Sequence, residues 1–286
     1  MVEQPADKLI TRRQFLKKIV AVAGGAVAVG GGIAAFKFDT YDLKITNVNI
    51  PIADLPDSFS GFRIAHMTDF HCRDGVRYEY LKRVAASANS LKPDIIVLTG
   101  DYVSHERKDI PPVMELIDSL RAKYGKLAVL GNHDHWTDAA MTREYLRKSG
   151  AVDLTNTNVL IGKGGEEICF AGVGDVWEDT QKIDEAYHSV PENIPRILLS
   201  HNPDYAEVMP AGYRTDFMIS GHTHGGQVVL PLYGAPILPS DYGQKYASGL
   251  VEGPHCRVYI SRGIGFIHKF RWNCRPELPV FTLVKA

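Results

Sequence analysis

Five short clusters carry side chains able to do chemistry: Asp69-Phe70-His71, Gly100-Asp101, Gly131-Asn132-His133-Asp134, Ser200-His201-Asn202 and Gly221-His222-Thr223-His224. Carboxylate, imidazole and amide oxygen together suit Mn²⁺, Zn²⁺ or Fe in a two-metal site. Residues at i and i+2 of an extended chain point the same way, so Asp69 with His71, and His222 with His224, each reach one small volume. Gly100, Gly131 and Gly221 let the backbone turn tightly beside such ions. A lone buried Asp or His is more often a hydrogen-bonded structural group than a ligand. His66, His105, His188 and His255 are therefore given no role, with His66 on the strand before Asp69 read as a core histidine.

Each cluster follows a short apolar run. Leu43 to Ile50 alternates as a first strand, and Pro51 to Gly61 is a turn-rich connection. Apolar runs then appear at Arg63 to Met67, Asp94 to Thr99, Lys126 to Leu130, Ile168 to Ala171, Arg196 to Ser200 and Phe217 to Ser220. Helical spacing fills several of the gaps. One helix carries Tyr80, Leu81, Val84, Ala88 and Leu91 and is closed by Pro93. A second starts at Pro111-Pro112 with Val113, Leu116, Ile117 and Leu120 on one face and ends near Gly125. A third runs from about Asp138, with Met141, Tyr145 and Leu146 inward and Gly150 as its stop. This is an α/β alternation. In open α/β sheets ligands bind where strand C-termini deliver neighbouring loops to one crevice, so the polar clusters converge there.

The order D-x-H, G-D, G-N-H-D, H and G-H-x-H from residue 69 to 224 resembles the calcineurin-like metallophosphoesterases. The match continues through Gly225-Gly226-Gln227 and from Ser261-Arg262-Gly263-Ile264-Gly265 to Cys274-Arg275-Pro276-Glu277. The resemblance implies a four-layer αββα sandwich of two mixed sheets flanked by helices. It assigns Asp69, His71, Asp101 and His224 to one divalent metal and Asp101, Asn132, His201 and His222 to the other, with Asp101 bridging. A water shared by the metals would lose a proton near neutral pH and attack phosphorus in line. By analogy His133 contacts the phosphate and protonates the leaving oxygen, and Asp134 holds its imidazole. Two positions depart from the pattern: Ser104 stands where many relatives have a second acid, and Cys72 follows His71 where Gly is frequent.

Thr11-Arg12-Arg13-Gln14-Phe15-Leu16-Lys17, followed by a Gly- and Ala-rich apolar stretch to Phe36, resembles a twin-arginine export signal. Together with the motifs it implies an exported bacterial phosphodiesterase branch. Residues 1–40 are expected to be that signal peptide or an uncleaved N-terminal anchor, and residues 41–286 the metallophosphoesterase domain outside the cytoplasm. Partners would be the twin-arginine export machinery and a small-molecule or lipid-linked phosphate ester. With 32 Lys plus Arg against 33 Asp plus Glu the net charge is −1, so no nucleic-acid partner is evident. Cys72, Cys169, Cys256 and Cys274 show no CxxC spacing; an oxidising compartment would permit Cys256 to pair with Cys274. Gly265 to Trp272 interleaves apolar, aromatic and basic residues and would rim the site, touch a membrane surface or pack as a strand-loop. The motifs leave the substrate open between a phosphodiester and a lipid pyrophosphate of the UDP-2,3-diacylglucosamine type. A non-catalytic metal-stabilised module is a third reading, one that expects missing ligands.

Overall fold

Apolar runs buried on both faces build two six-stranded sheets in the computed structural model, which describes residues 40–72, 76–267 and 269–286. The expected export signal lies almost wholly outside the described residues. Among those described, no helix is long and apolar enough to cross a membrane.

The strands are β1 (Lys44–Ile52), β2 (Arg63–Met67), β3 (Ile95–Thr99), β4 (Lys126–Val129), β5 (Ala151–Asp153) and β6 (Thr157–Lys163). They continue with β7 (Glu166–Gly172), β8 (Arg196–Leu199), β9 (Phe217–Ser220), β10 (Gly249–Glu252), β11 (Arg257–Ile260) and β12 (Glu277–Lys285). The first sheet has the order β1-β12-β2-β3-β4-β5, parallel except where β12 meets β2. The second has the order β10-β11-β9-β8-β7-β6, with antiparallel pairs at both edges.

Successive side chains leave a strand on opposite faces, and this sorts the core into layers. Ile64, Ile95 and Val97 from the first sheet meet Ile197, Leu199, Phe217 and Ile219 from the second. Their sequence neighbours Ala65, Met67, Ile96 and Leu98 turn outward to three helices, α1 (Tyr78–Ser90), α2 (Ile110–Asp118) and α3 (Asn132–Lys148). On the far side Leu198 and Met218 pack against α4 (Ile183–Ala186) and α5 (Tyr205–Val208). The architecture is the αββα sandwich of two mixed sheets.

Two helices differ from their sequence expectation. α2 stops at Asp118, before the expected Gly125. α3 starts at Asn132, because two helical pieces meet at Asp138, whose backbone is extended (φ −177°). Asp138 Oδ1 accepts the Met141 N–H at 3.0 Å and so caps the second piece, the part legible from periodicity. The first piece is polar and holds Asn132 and His133.

Candidate metal centre

The ligand candidates fall in the loops after β2, β3, β4, β8 and β9, which belong to two sheets rather than one. The centre therefore straddles the paired C-terminal edges of the sandwich. Asp69, His71, Asp101, His222 and His224 all have φ between 45° and 71°. Left-handed backbone at non-glycine residues is disfavoured and persists where the surroundings over-determine it, as at ligand sites. This overturns the extended-chain argument for Asp69 with His71 and His222 with His224. Their convergence comes from these turns, locked by Asp69 N–H on Gly100 O (3.0 Å), His71 N–H on Asp101 O (3.0 Å) and Gly221 N–H on His201 O (3.0 Å).

One cluster gathers Asp101, Asn132, His201 and His222. His201 Nδ1 donates to Thr99 O at 2.6 Å, which turns its Nε2 toward the cluster, a lone pair once the imidazole is neutral. That Nε2 lies 3.1 Å from Asn132 Oδ1, 3.1 Å from His222 Nδ1 and 3.3 Å from Asp101 Oδ2. Acceptors facing one another at such distances want a cation between them. Ligand atoms about 2.1 Å from one ion lie about 3.0–3.4 Å apart in octahedral or tetrahedral geometry, which is the spacing found.

A second cluster gathers Asp69, His71 and His224. His71 Nε2 is 2.9 Å from His224 Nε2, and His224 Nε2 is 3.3 Å from Asp69 Oδ1. Asp101 Oδ2 lies 3.5 Å from His71 Nε2, so this single oxygen faces both clusters. Its partner Oδ1 accepts the His133 N–H at 2.9 Å.

The electrostatics also call for cations. Burial pushes the Asp69 carboxyl up to about 7. Burial would also raise Asp101, but His201, His133 and His71 together hold it well below the usual carboxylate range. Burial opposes charge on His201, yet Asp101 draws its pKa up to about 10, so without a cation Nε2 keeps a proton that ligation would release. His222 is lowered to about 3 by burial and by His201, and His224 falls well below its ordinary value through burial, His71 and Arg271. Both are therefore neutral imidazoles, as ligation requires. The ion pairs of Asp69 and Asp101 are with histidines, and the donor set fits two divalent cations.

Asp134 does not hold the His133 imidazole. Its Oδ2 accepts the N–H groups of Asp101 (2.8 Å) and Gly131 (2.9 Å), and its Oδ1 that of Tyr102 (2.9 Å). It thus ties the β3 and β4 loops together and sets Asp101. Ser104 orients His133, whose Nδ1 lies 2.8 Å from Ser104 O. The Ser104 hydroxyl is also 3.3 Å from His71 Nδ1, so Ser104 touches two histidines of the centre. Cys72 is buried and continues the pairing with the β3 loop, N–H on Tyr102 O. All four cysteines are free and buried, and Cys274 Sγ faces His224 O at 3.3 Å rather than Cys256.

Gly131 has no room for a methyl group. A Cβ there would sit 2.3 Å from Asp101 Oδ1 and 2.8 Å from His201 Cε1. Gly131→Ala is expected to displace two ligands of one ion and cut that site's metal affinity by at least about tenfold. Metal content per chain after desalting checks this; wild-type stoichiometry would refute it.

Four further residues belong to the centre. Trp136 lies edge-on to His133 (centroids 4.6 Å) and Trp177 to His222 (4.4 Å). His105 comes within 5.1 Å of His133, ring to ring. Arg271 is fully buried, its Nη2 donating to Gly265 O and Arg262 O at 2.6 Å each. Nη2 also lies 3.3 Å from His224 Nδ1, so the buried guanidinium reaches a ligand imidazole. Within the Gly265 to Trp272 segment Phe266 and Arg271 are buried and Trp272 N–H donates to Gln227 O, while Lys269 is exposed. His66 is a core histidine, Nε2 on Thr99 Oγ1 at 2.7 Å and its pKa lowered to about 3 by burial.

Residues 62–226 match the calcineurin-like phosphoesterase family. The chain is similar to the uncharacterized metallophosphoesterase YkuE of Bacillus subtilis (strain 168), 33% identical over 96% of this chain and 98% of that one. It is similar to phosphodiesterase YaeI of Escherichia coli (strain K12), 30% identical over 96% and 100%. UDP-2,3-diacylglucosamine pyrophosphatase LpxG of Chlamydia trachomatis is 27% identical over 82% and 88%.

Proposed function

We propose that this chain, which belongs to the calcineurin-like phosphoesterase family, is a phosphodiesterase with Asp69, His71, Asp101 and His224 on one divalent cation and Asp101, Asn132, His201 and His222 on a second. The observation that carries this reading is Asp101 Oδ2, which faces ligands of both clusters while Oδ1 anchors the His133 backbone. Bound there, two divalent cations supply Lewis-acid polarisation of the phosphate and a water acidic enough to be deprotonated near neutral pH. The chain's own residues do the rest. His133 stands against the first cluster, its ring 4.7 Å from that of His71. With Nδ1 held by Ser104 O, its Nε2 is the nitrogen left to protonate the leaving oxygen. The similarity to phosphodiesterase YaeI over 96% of the chain supports a diester as substrate.

The test is hydrolysis by the full chain of monoesters, diesters and nucleotide sugars, with Mn²⁺ and Zn²⁺ supplied separately. Diesters should be cleaved fastest, and chelation should abolish turnover; faster monoester cleavage would overturn the assignment. The similarity to LpxG favours one second reading, a lipid pyrophosphatase, which predicts release of a lipid monophosphate from a UDP-linked lipid. A non-catalytic module expects a missing ligand, and every position is filled.

The Arg12-Arg13 segment supports a location outside the cytoplasm, reached by twin-arginine export. The Arg12→Lys/Arg13→Lys variant should accumulate inside the cell at least about tenfold over wild type by fractionation, and normal export of that variant would refute the route.

A further inference from the structure

Trp136 and Trp177 are 47% and 42% exposed beside the polar candidate metal centre, although large apolar side chains normally seek burial. Their rings are near parallel, 24° apart with centroids at 6.4 Å, and form one aromatic surface.

That surface is held rigidly. The Trp136 indole N–H donates to Glu178 Oε1 at 2.6 Å, which ties the ring on α3 to the loop after β7. In that loop Asp175 Oδ1 accepts the N–H groups of Trp177 (2.9 Å) and Glu178 (3.2 Å). Arg143 of α3 then clasps Asp179 at 3.1 Å and Asp153 at 3.2 Å. Exposed aromatic area whose entropy is already lost is what a binding surface needs.

Its position names the occupant. Each indole lies against an imidazole that faces the phosphate site, His133 on one side and His222 on the other. Both exposed rings thus border the cluster in which the cations and the phosphate would sit. We propose that Trp136 and Trp177 determine specificity by stacking a planar aromatic group of the ester, a nucleobase or an aryl ring, beside the metal centre. The inference rests on the phosphodiesterase reading above. Flat, near-parallel indoles suit a π-face, whereas an alkyl chain needs a groove.

Calorimetry on the metal-loaded full chain with methylphosphonate, phenylphosphonate and hexylphosphonate tests it. Phenylphosphonate should bind about tenfold tighter than methylphosphonate, within the range of single-ring stacking. In the Trp136→Ala/Trp177→Ala variant the phenyl-to-methyl ratio should fall to near one. Metal content reports whether the centre is intact, and Trp177→Ala alone carries the test if Trp136→Ala disturbs it. Equal wild-type affinities, or a preference that survives both substitutions, would overturn the proposal. So would hexylphosphonate binding as tightly as phenylphosphonate. Absence of turnover of every phosphodiester by the same metal-loaded chain would instead overturn the phosphodiesterase reading beneath it.

Discussion

Asp101→Asn is expected to abolish turnover and to leave the chain unable to hold two ions. The amide must place its oxygen at the Oδ1 position, because His133 N–H donates there at 2.9 Å and an NH₂ group would oppose it. The NH₂ then occupies the Oδ2 position, 3.3 Å from His201 Nε2 and 3.5 Å from His71 Nε2. Two hydrogens replace the lone pairs facing both clusters, and one negative charge is lost. Outer partners of metal ligands cost about 10–100-fold in affinity when removed, so loss of the shared ligand should exceed about 100-fold. The thermal stabilisation that Mn²⁺ or Zn²⁺ gives the wild type should disappear as well, since an ion that no longer binds the native state no longer favours it. Wild-type metal content and turnover in this variant would sink the bridging role.

The five ligand loops were legible because each is a polar cluster set against an apolar strand. Their division between two sheets was not, since strands buried on both faces read as unbroken apolar runs and betray no partner. β12 was hidden by Pro279, which argues against an interior strand; its pairing to β2 begins only at Val280, so the proline precedes the two-sided part. β6 and β10 are edge strands, partly exposed and only weakly patterned. Trp136 lies three residues after His133 on the first piece of α3 and so shares its face, but that piece precedes the Asp138 start that periodicity gave. Trp177 follows Gly174-Asp175 past β7, a repeat of the Gly100-Asp101 arrangement past β3. Arg271 gave none. A buried guanidinium caged by carbonyls looks, in sequence, like any basic residue in an amphipathic run.

His133→Ala should separate the chemistry from the scaffold. The bond that links this residue to Asp101 is a backbone N–H, which alanine keeps, and the His133 side chain meets Ser104 O rather than Asp134. Both ions should therefore remain bound. What is lost is the proton donor, worth about 10²–10⁴-fold in rate where the leaving group needs one. An alkyl alkoxide needs it, while a nitrophenolate departs nearly unaided. The variant should thus lose about 10²-fold or more on a nucleotide diester and less than about tenfold on bis(4-nitrophenyl) phosphate, at unchanged metal content. Equal losses on the two substrates would mean that His133 only binds or orients the phosphate. Unequal losses would fix the imidazole on the leaving-group side of the phosphorus, next to Trp136, which is the side on which a stacked aromatic ester group has to lie.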